Sequence, residues 1–347
     1  MRSVFDLSTP AVLVDIDALE LNLSTMAARL PGALLRPHVK AHKSTALAAM
    51  QRRHGHRNFT CATVREMVGM ARAGLGDDLL LANEVVDADR LRELAALQDR
   101  AMVTIAVDSD TTVDAAAKAG IRNVLVDVNI GLPRCGCAPG DAGRIAELAR
   151  SHGLTVRGVM GYEGHLMVSS DRSVQRHETL AAMQVLRQAA HAVGGDVISA
   201  GGTGNYDIHA EHREQTGVTE VQAGSYALMD TYYQALELPF RQAVSILGTV
   251  ISRSEKWAVV DVGLKSLGMD HGNPTIVGHK VWFCSDEHTT FAVEKDASGL
   301  RGAQPAVGNK VRVLPAHLDP TMAMHDHLWL VRDDEVLDRL PIDLRGW

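Results

Sequence analysis

Ala33-Leu34-Leu35-Arg36-Pro37-His38-Val39-Lys40-Ala41-His42-Lys43 reads as the end of a first β-strand, and the kind of turn that leaves it decides the fold. A doubly wound dinucleotide-binding sheet would show a Gly-x-Gly-x-x-Gly turn here, and none is present. Outward from this segment, residues 33 to 230 alternate short apolar runs with helix-like stretches. Strands are expected at 34–40, 59–64, 78–83, 102–108, 123–129, 157–162, 196–201 and 219–224. Helix-like stretches such as 44–53, 65–73, 87–98, 138–152 and 173–193 lie between them. Eight strands joined by helical crossovers predict a parallel (β/α)8 barrel of the TIM type; an open doubly wound sheet is the competitor.

The texture changes after about residue 240. Short strand-like runs at 244–252, 256–262, 281–284, 290–293, 310–314 and 328–331 are separated by turn-formers, with no long amphipathic helix. This predicts a C-terminal, mostly β domain. The early run at 10–16 is also strand-like and precedes the first barrel strand, which suggests pairing with the β domain. The expected division is a barrel over 20–238, and a β domain from 1–19 plus 239–347.

The chain has 347 residues, 46% of them hydrophobic, enough for a sizeable core. Its net charge of −7 disfavours a nucleic-acid surface. No run approaches the ~20 apolar residues of a membrane span. Asp6, Asp15 and Asp17 interrupt the first apolar stretch, unlike a secretory signal. The cysteines are Cys61, Cys135, Cys137 and Cys284, without a Cys-x-x-Cys zinc pattern. A reduced, cytoplasmic protein is expected.

On an extended strand Arg36, His38, Lys40 and His42 share one face. A solvated surface strand would explain them. So would an active-site strand, because basic neighbours disfavour the charge of an amine and so make it nucleophilic. In such a barrel Lys40 lies at the C-terminal mouth, where active sites sit. The loops after strands seven and eight are the fold's usual phosphate positions. Here they read Gly201-Gly202-Thr203-Gly204 and Gly224-Ser225. Glycines let backbone N–H groups approach an anion, and Thr203 and Ser225 add hydroxyls. A reactive lysine beside a phosphate site points to pyridoxal phosphate, whose aldehyde takes a lysine Schiff base. Lys43 and Lys265 are the competing lysines.

In Pro315-Ala316-His317-Leu318-Asp319-Pro320, an extended chain would point His317 and Asp319 the same way. Imidazole plus carboxylate suits a divalent ion of intermediate softness. An ordinary polar loop is the alternative. His325 and Asp326 repeat the residue types nearby and are candidates to support such a site.

Taken in order, Thr9-Pro10, 36–43, Arg134-Cys135-Gly136, 201–204, 222–226, 261–266 and His317-x-Asp319 resemble the fold-type III pyridoxal-phosphate enzymes. Within them they resemble the D-threonine aldolase and D-serine dehydratase branch, over nearly the whole chain. The resemblance implies an alanine-racemase-like barrel with a β domain, as a homodimer. It places the Schiff-base lysine on Lys40 and the phosphate cradle on Thr203, Gly204, Gly224 and Ser225. His38, Tyr162 and Tyr226 join the cofactor site. Arg134 falls near the cofactor's phenolic oxygen. Gln222 stands where related racemases carry an arginine facing the pyridine nitrogen, and a neutral amide makes the ring a weaker electron sink. The metal falls on His317 and Asp319, with manganese ahead of zinc and magnesium.

The aldolases of this branch tend to show Tyr-His-Gly after strand six, whereas this chain has Tyr162-Glu163-Gly164-His165. Either His165 substitutes from a shifted position or Glu163 alters the acid–base chemistry. The His-x-Asp pair resembles the aldolase version; the dehydratases more often show His-x-Cys. The implied activity is retro-aldol cleavage of D-threonine-like D-β-hydroxy-α-amino acids to glycine and an aldehyde. The alternative is a D-serine or 3-hydroxyaspartate dehydratase. A racemase and a non-catalytic pyridoxal-phosphate-binding protein come after, and a metal-dependent barrel hydrolase would leave the phosphate loops without a use.

Overall fold

The computed structural model describes residues 2–169, 171–293 and 305–347. They fall into two compact units, Ser24–Gly224 with Gly346–Trp347, and Met1–Leu23 with Ser225–Arg345. The chain passes between units at 23/24 and 224/225.

In the first unit seven parallel strands lie side by side in chain order: Asn58–Cys61, Asp78–Leu81, Val103–Val107, Asn123–Asp127, Thr155–Met160, Val197–Ala200 and Glu220–Val221. The eighth stave is the opening segment. Leu35 bridges Val221 and His38 bridges Thr60, both in parallel sense. The Arg36 and His38 amides donate to the Val221 and Ala223 carbonyls, and Pro37 accepts from the Thr60 amide. Pro37 has no N–H to give a full ladder, so this stave is thin. Its two-sided bonding nonetheless closes the barrel, and the open sheet is excluded.

Helices return the chain between strands, several of them started by a side-chain cap. Ser44 caps Thr45–Arg53, Thr63 and Glu66 form a capping box for Val64–Arg72, and Asp87 caps Ala88–Ala95. Leu80, Ala106, Leu125 and Met160, from successive strands, pack together as an apolar cluster. The strands are almost wholly buried, as parallel strands with both faces covered must be.

The strand expected over 34–40 stops at His38. Val39–Ala41 forms a 3-10 turn. Alternation therefore ends two residues before Lys40, and Lys40 sits on a turn rather than on a strand face.

The second unit is mostly β. Its sheet runs in the order Arg2–Ser3, Glu335–Pro341, His327–Arg332, Ala11–Asp15, Val244–Arg253, Ala258–Val260, Thr289–Val293 and His279–Cys284, with Lys310–Val313 also on Val244–Arg253. The early run Ala11–Asp15 lies between His327–Arg332 and Val244–Arg253. Its alternate side chains join Val4, Leu7, Leu247 and Val331 in an apolar cluster. Among the described residues no helix is long and apolar enough to cross a membrane.

Candidate active site

The turn that carries Lys40 is held by Val39, whose carbonyl accepts from the amides of His42 and Lys43. Three lysines compete by sequence, and their surroundings separate them. Lys43 Nζ is paired with the fully buried Glu66. Lys265 Nζ lies 2.9 Å from Glu287 and 3.5 Å from Asp286. Half-buried Lys40 has no carboxylate partner among the described residues.

Two of the three neighbours expected to act on Lys40, Arg36 and His42, are otherwise engaged. Arg36 runs to the opposite, N-terminal end of the barrel. Its Nε donates to Glu220 at 2.7 Å and its Nη2 to Asp78 at 2.9 Å, and Glu220 and Asp78 each open their strands. Arg157 adds bonds to Asp78 and to Thr104. Burial pushes the Asp78 carboxyl up, but Arg157 and Arg36 outweigh it and hold it at about 2. Arg36 is thus a barrel-floor residue, and its expected influence on Lys40 is withdrawn. His42 is buried, with Nδ1 accepting from the Ser44 amide and Nε2 against Gln51. Parity along an ideal strand suggested both roles, and the turn at Val39 removes the premise.

The loop after Val197–Ala200 is tightly fixed. A Cβ on Gly204 would lie 1.8 Å from the Met167 carbonyl oxygen, so only glycine fits there. The Gly204 carbonyl accepts from Arg172 at 2.8 Å and Gln175 at 3.1 Å. In the next loop, a Cβ on Gly224 would lie 2.5 Å from the His38 carbonyl, which brings that loop against the Lys40 segment. Gln222 Nε2 donates to Ser199 at 2.9 Å. Ser225 and Tyr226 come next, in a buried 3-10 turn that opens the second unit.

Arg134 stacks its guanidinium over the Tyr162 ring at 5.3 Å, and both line a small cavity with Asp127 and Cys135. Burial, with Glu84 and Asp108 nearby, pushes Asp127 well above the usual carboxylate range. Burial and Glu84 push the Cys135 thiol to about 11, and burial with Asp127 pushes Cys137 to about 12. These thiols are not nucleophiles at neutral pH. His165 is exposed beside Gly131. Glu163 is 0% exposed, and both of its oxygens accept hydrogen bonds inside the protein. Enclosed and fully engaged, Glu163 serves as a hydrogen-bond acceptor for its neighbours, whereas His165 is open to solvent.

In the second unit His317 precedes the short helix Leu318–Ala323, and Asp319 lies in its first turn. The segment is not extended as expected, yet His317 Nε2 stands 3.2 Å from Asp319 Oδ2. Two ligands at right angles and ~2.1 Å from one ion would lie about 3.0 Å apart, so this spacing fits a shared divalent ion. Asp270 takes the other ring nitrogen, with Nδ1 2.8 and 2.9 Å from its oxygens. The His271 ring stacks on His317 at 3.9 Å, and donor atoms of Asp270, His271 and His317 lie within 4.8 Å of one another. Burial works against a protonated His317, but Asp319 and Asp270 hold it above the ordinary imidazole value. Asp230 is fully buried and accepts from the Leu318 amide, between the two side chains, at 2.9 Å.

Asp270, His271 and Asp230 were not singled out from sequence. An Asp-His pair at 270–271 was the available signal, but only the bridge between Gly268 and His317 reveals its neighbour. His325 and Asp326, named as supports, lie elsewhere: His325 Nε2 is on the Ser266 carbonyl and Asp326 pairs with Arg345.

Residues 14–231 match the alanine racemase N-terminal domain, and residues 243–331 match a putative serine dehydratase domain. The D-threonine aldolase of an Arthrobacter species is 34% identical over 98% of this chain and 93% of that protein. The chain belongs to the D-threonine aldolase and D-serine dehydratase family. Family members of solved structure agree in fold. D-threonine aldolase from Filomicrobium marinum superimposes with a TM-score of 0.91 at 34% identity, covering 100% of this chain and 99% of that one. D-threo-3-hydroxyaspartate dehydratase from Delftia sp. HT23 gives 0.88 at 26% identity, covering 100% of both. These relatives are aldolases and a dehydratase by name, and the barrel with its mostly β partner is the family's alanine-racemase-like architecture.

The residues fit the groups that this family implies. Lys40 offers an amine without a carboxylate partner among the described residues, and Gly204 and Gly224 offer backbone amides in glycine turns, the Gly201 and Gly202 amides being engaged by Glu163 and Asn205. His317 and Asp319 offer one nitrogen and one oxygen at the spacing of neighbouring metal ligands.

Proposed function

We propose that the protein is a pyridoxal-phosphate- and divalent-metal-dependent aldolase. It cleaves D-β-hydroxy-α-amino acids of the D-threonine type into glycine and an aldehyde. The observation that carries this reading is the His317–Asp319 pair, whose second donor is an oxygen, with Asp270 on the far nitrogen of His317. Similarity to two D-threonine aldolases supports it.

In this reading Lys40 holds the cofactor through its aldehyde, and Thr203, Gly204, Gly224 and Ser225 hold its phosphate. Arg134, Tyr162, His38, Gln222 and Tyr226 orient the ring. His317 Nε2 and Asp319 hold the metal, manganese before zinc or magnesium, and Asp270 keeps the proton of His317 on Nδ1. Bound, the two groups supply an electron sink for the substrate's α-carbon and Lewis acidity for its β-hydroxyl. His165, exposed after the strand Thr155–Met160, takes the hydroxyl proton, the Cα–Cβ bond breaks with its electron pair on Cα, and the β-carbon becomes the aldehyde. His165 then returns that proton to Cα to give glycine. A homodimer and a cytoplasmic location complete the reading.

The second reading is a dehydratase acting on 3-hydroxyaspartate or D-serine, with keto acid and ammonia as products. The likeness to D-threo-3-hydroxyaspartate dehydratase favours it, and a related structure of that enzyme is described as metal-free, which supports metal use in this family. The test is incubation with D-threonine, D-serine and D-threo-3-hydroxyaspartate, scoring aldehyde, glycine, keto acid and ammonia separately. Aldehyde with glycine, lost in Lys40→Ala together with the yellow cofactor absorbance, is expected. Keto acid with ammonia would replace the aldolase reading by the dehydratase.

A further inference from the structure

Glu163 is fully buried, and its surroundings give it a task. Its Oε2 accepts from the Gly201 amide at 3.3 Å. Its Oε1 accepts from Asn205 Nδ2 at 2.7 Å and His209 Nε2 at 2.8 Å. Asn205 passes the hold on, since its Oδ1 accepts from the Gly202 amide at 3.0 Å. Glu163 and Asn205 are fully buried and His209 is 1% exposed, so these bonds are shielded from bulk solvent. Two successive loop amides are thus fixed by one carboxylate, and Arg172 and Gln175 fix the loop again at Gly204. Thr203 lies between the two grips.

We infer that Glu163 is a positioning residue for the cofactor phosphate, acting through the Gly201–Asn205 loop. This rests on the pyridoxal-phosphate reading above. The donor count makes the inference testable by a near-isosteric change. Three donors converge on two acceptor oxygens, and an amide offers only one acceptor. In Glu163→Gln either the Gly201 amide, or Asn205 with His209, faces an NH2 group. Asn205 has no turned-over alternative, because its oxygen is committed to Gly202.

Charge alone predicts the opposite result. A buried carboxylate behind an anion-binding loop repels the phosphate, and although burial pushes Glu163 up, bonds from His209 and Asn205 hold it below the usual range, so that it is ionised. Removing that charge would tighten phosphate binding if electrostatics decided the outcome. If positioning decides it, binding weakens, and only for a ligand with a phosphate.

The experiment compares dissociation constants for pyridoxal phosphate and for pyridoxal, which lacks the phosphate. Both are read from visible absorbance after removing and reloading the cofactor. Glu163→Gln should weaken pyridoxal phosphate binding about tenfold, the effect of one mispaired buried amide, and leave pyridoxal within about twofold. Asn205→Ala, which keeps the Glu163–His209 pair, should show the same selective loss and serves if the first variant does not fold. Equal weakening of both ligands, unchanged binding or tighter pyridoxal phosphate binding would overturn the inference. Failure of the wild-type protein to bind either ligand would instead overturn the cofactor reading itself.

Discussion

Replacing Arg36 by methionine separates what an ideal strand suggests from what the folded barrel does. Arg36 is 2% exposed; its partners Glu220 and Asp78 are 7% and 22% exposed at the side chain. In Arg36→Met, Asp78 keeps Arg157, at 2.8 Å, but Glu220 loses its ion-pair partner. Removing one member of a buried pair costs about 3–5 kcal/mol, because a buried charge is left uncompensated. The Asp78 carboxyl gives an independent scale. Its fall from 3.8 to about 2 corresponds to roughly 2 kcal/mol of favourable interaction, shared between two arginines. The urea unfolding midpoint should therefore drop sharply with little change in slope. The wavelength and pH profile of the cofactor's visible absorbance should not move, because Arg36 lies at the barrel floor. Adding Glu220→Gln should restore part of the loss. A variant of wild-type stability whose absorbance profile shifts would refute this placement and return Arg36 to the lysine's surroundings.

Asp270→Ala should weaken manganese binding about 10–100-fold by freeing the His317 ring, measured calorimetrically on protein stripped of metal. An unchanged affinity would remove Asp270 from the site's support. Acid should unfold the barrel partly through Asp78. Its folded value lies below the ordinary 3.8, so its contribution is full above that pH and is lost as pH falls towards about 2. Urea midpoints across that window should fall by the equivalent of about 2 kcal/mol, and a pH-independent midpoint there would contradict the pairing.

The barrel was legible because its strands are short apolar runs separated by helices, and because the missing glycine turn after residue 43 argued against the open sheet. The thin eighth stave was harder to read: Pro37 and the turn at Val39 cut the strand short, and the parity argument for Arg36 and His42 failed with it. The glycine loops at 201–204 and 224 were legible as tight turns because glycine is required where backbone meets backbone, as at Gly204. What a loop leans on was not. Glu163, Asn205 and His209 are spread over 46 residues and meet only in the fold. The same holds for Asp270, which lies 47 residues before His317. His-x-Asp was visible as a local pair, whereas the groups that orient it arrive from a different strand connection.

Pro37 leaves a mark on the whole barrel. Along the line where the eighth stave meets its two neighbours, three backbone bonds do the joining, from the Arg36, His38 and Thr60 amides. That seam is the natural place for the cylinder to gape, and Lys40 comes two residues after it. A ligand fixed to Lys40 on one side and to the loops after Ala200 and Val221 on the other would act as a clasp across it. Amide exchange at 36, 38 and 60 should then slow when the cofactor is loaded, and equal exchange with and without it would show that the seam needs no clasp.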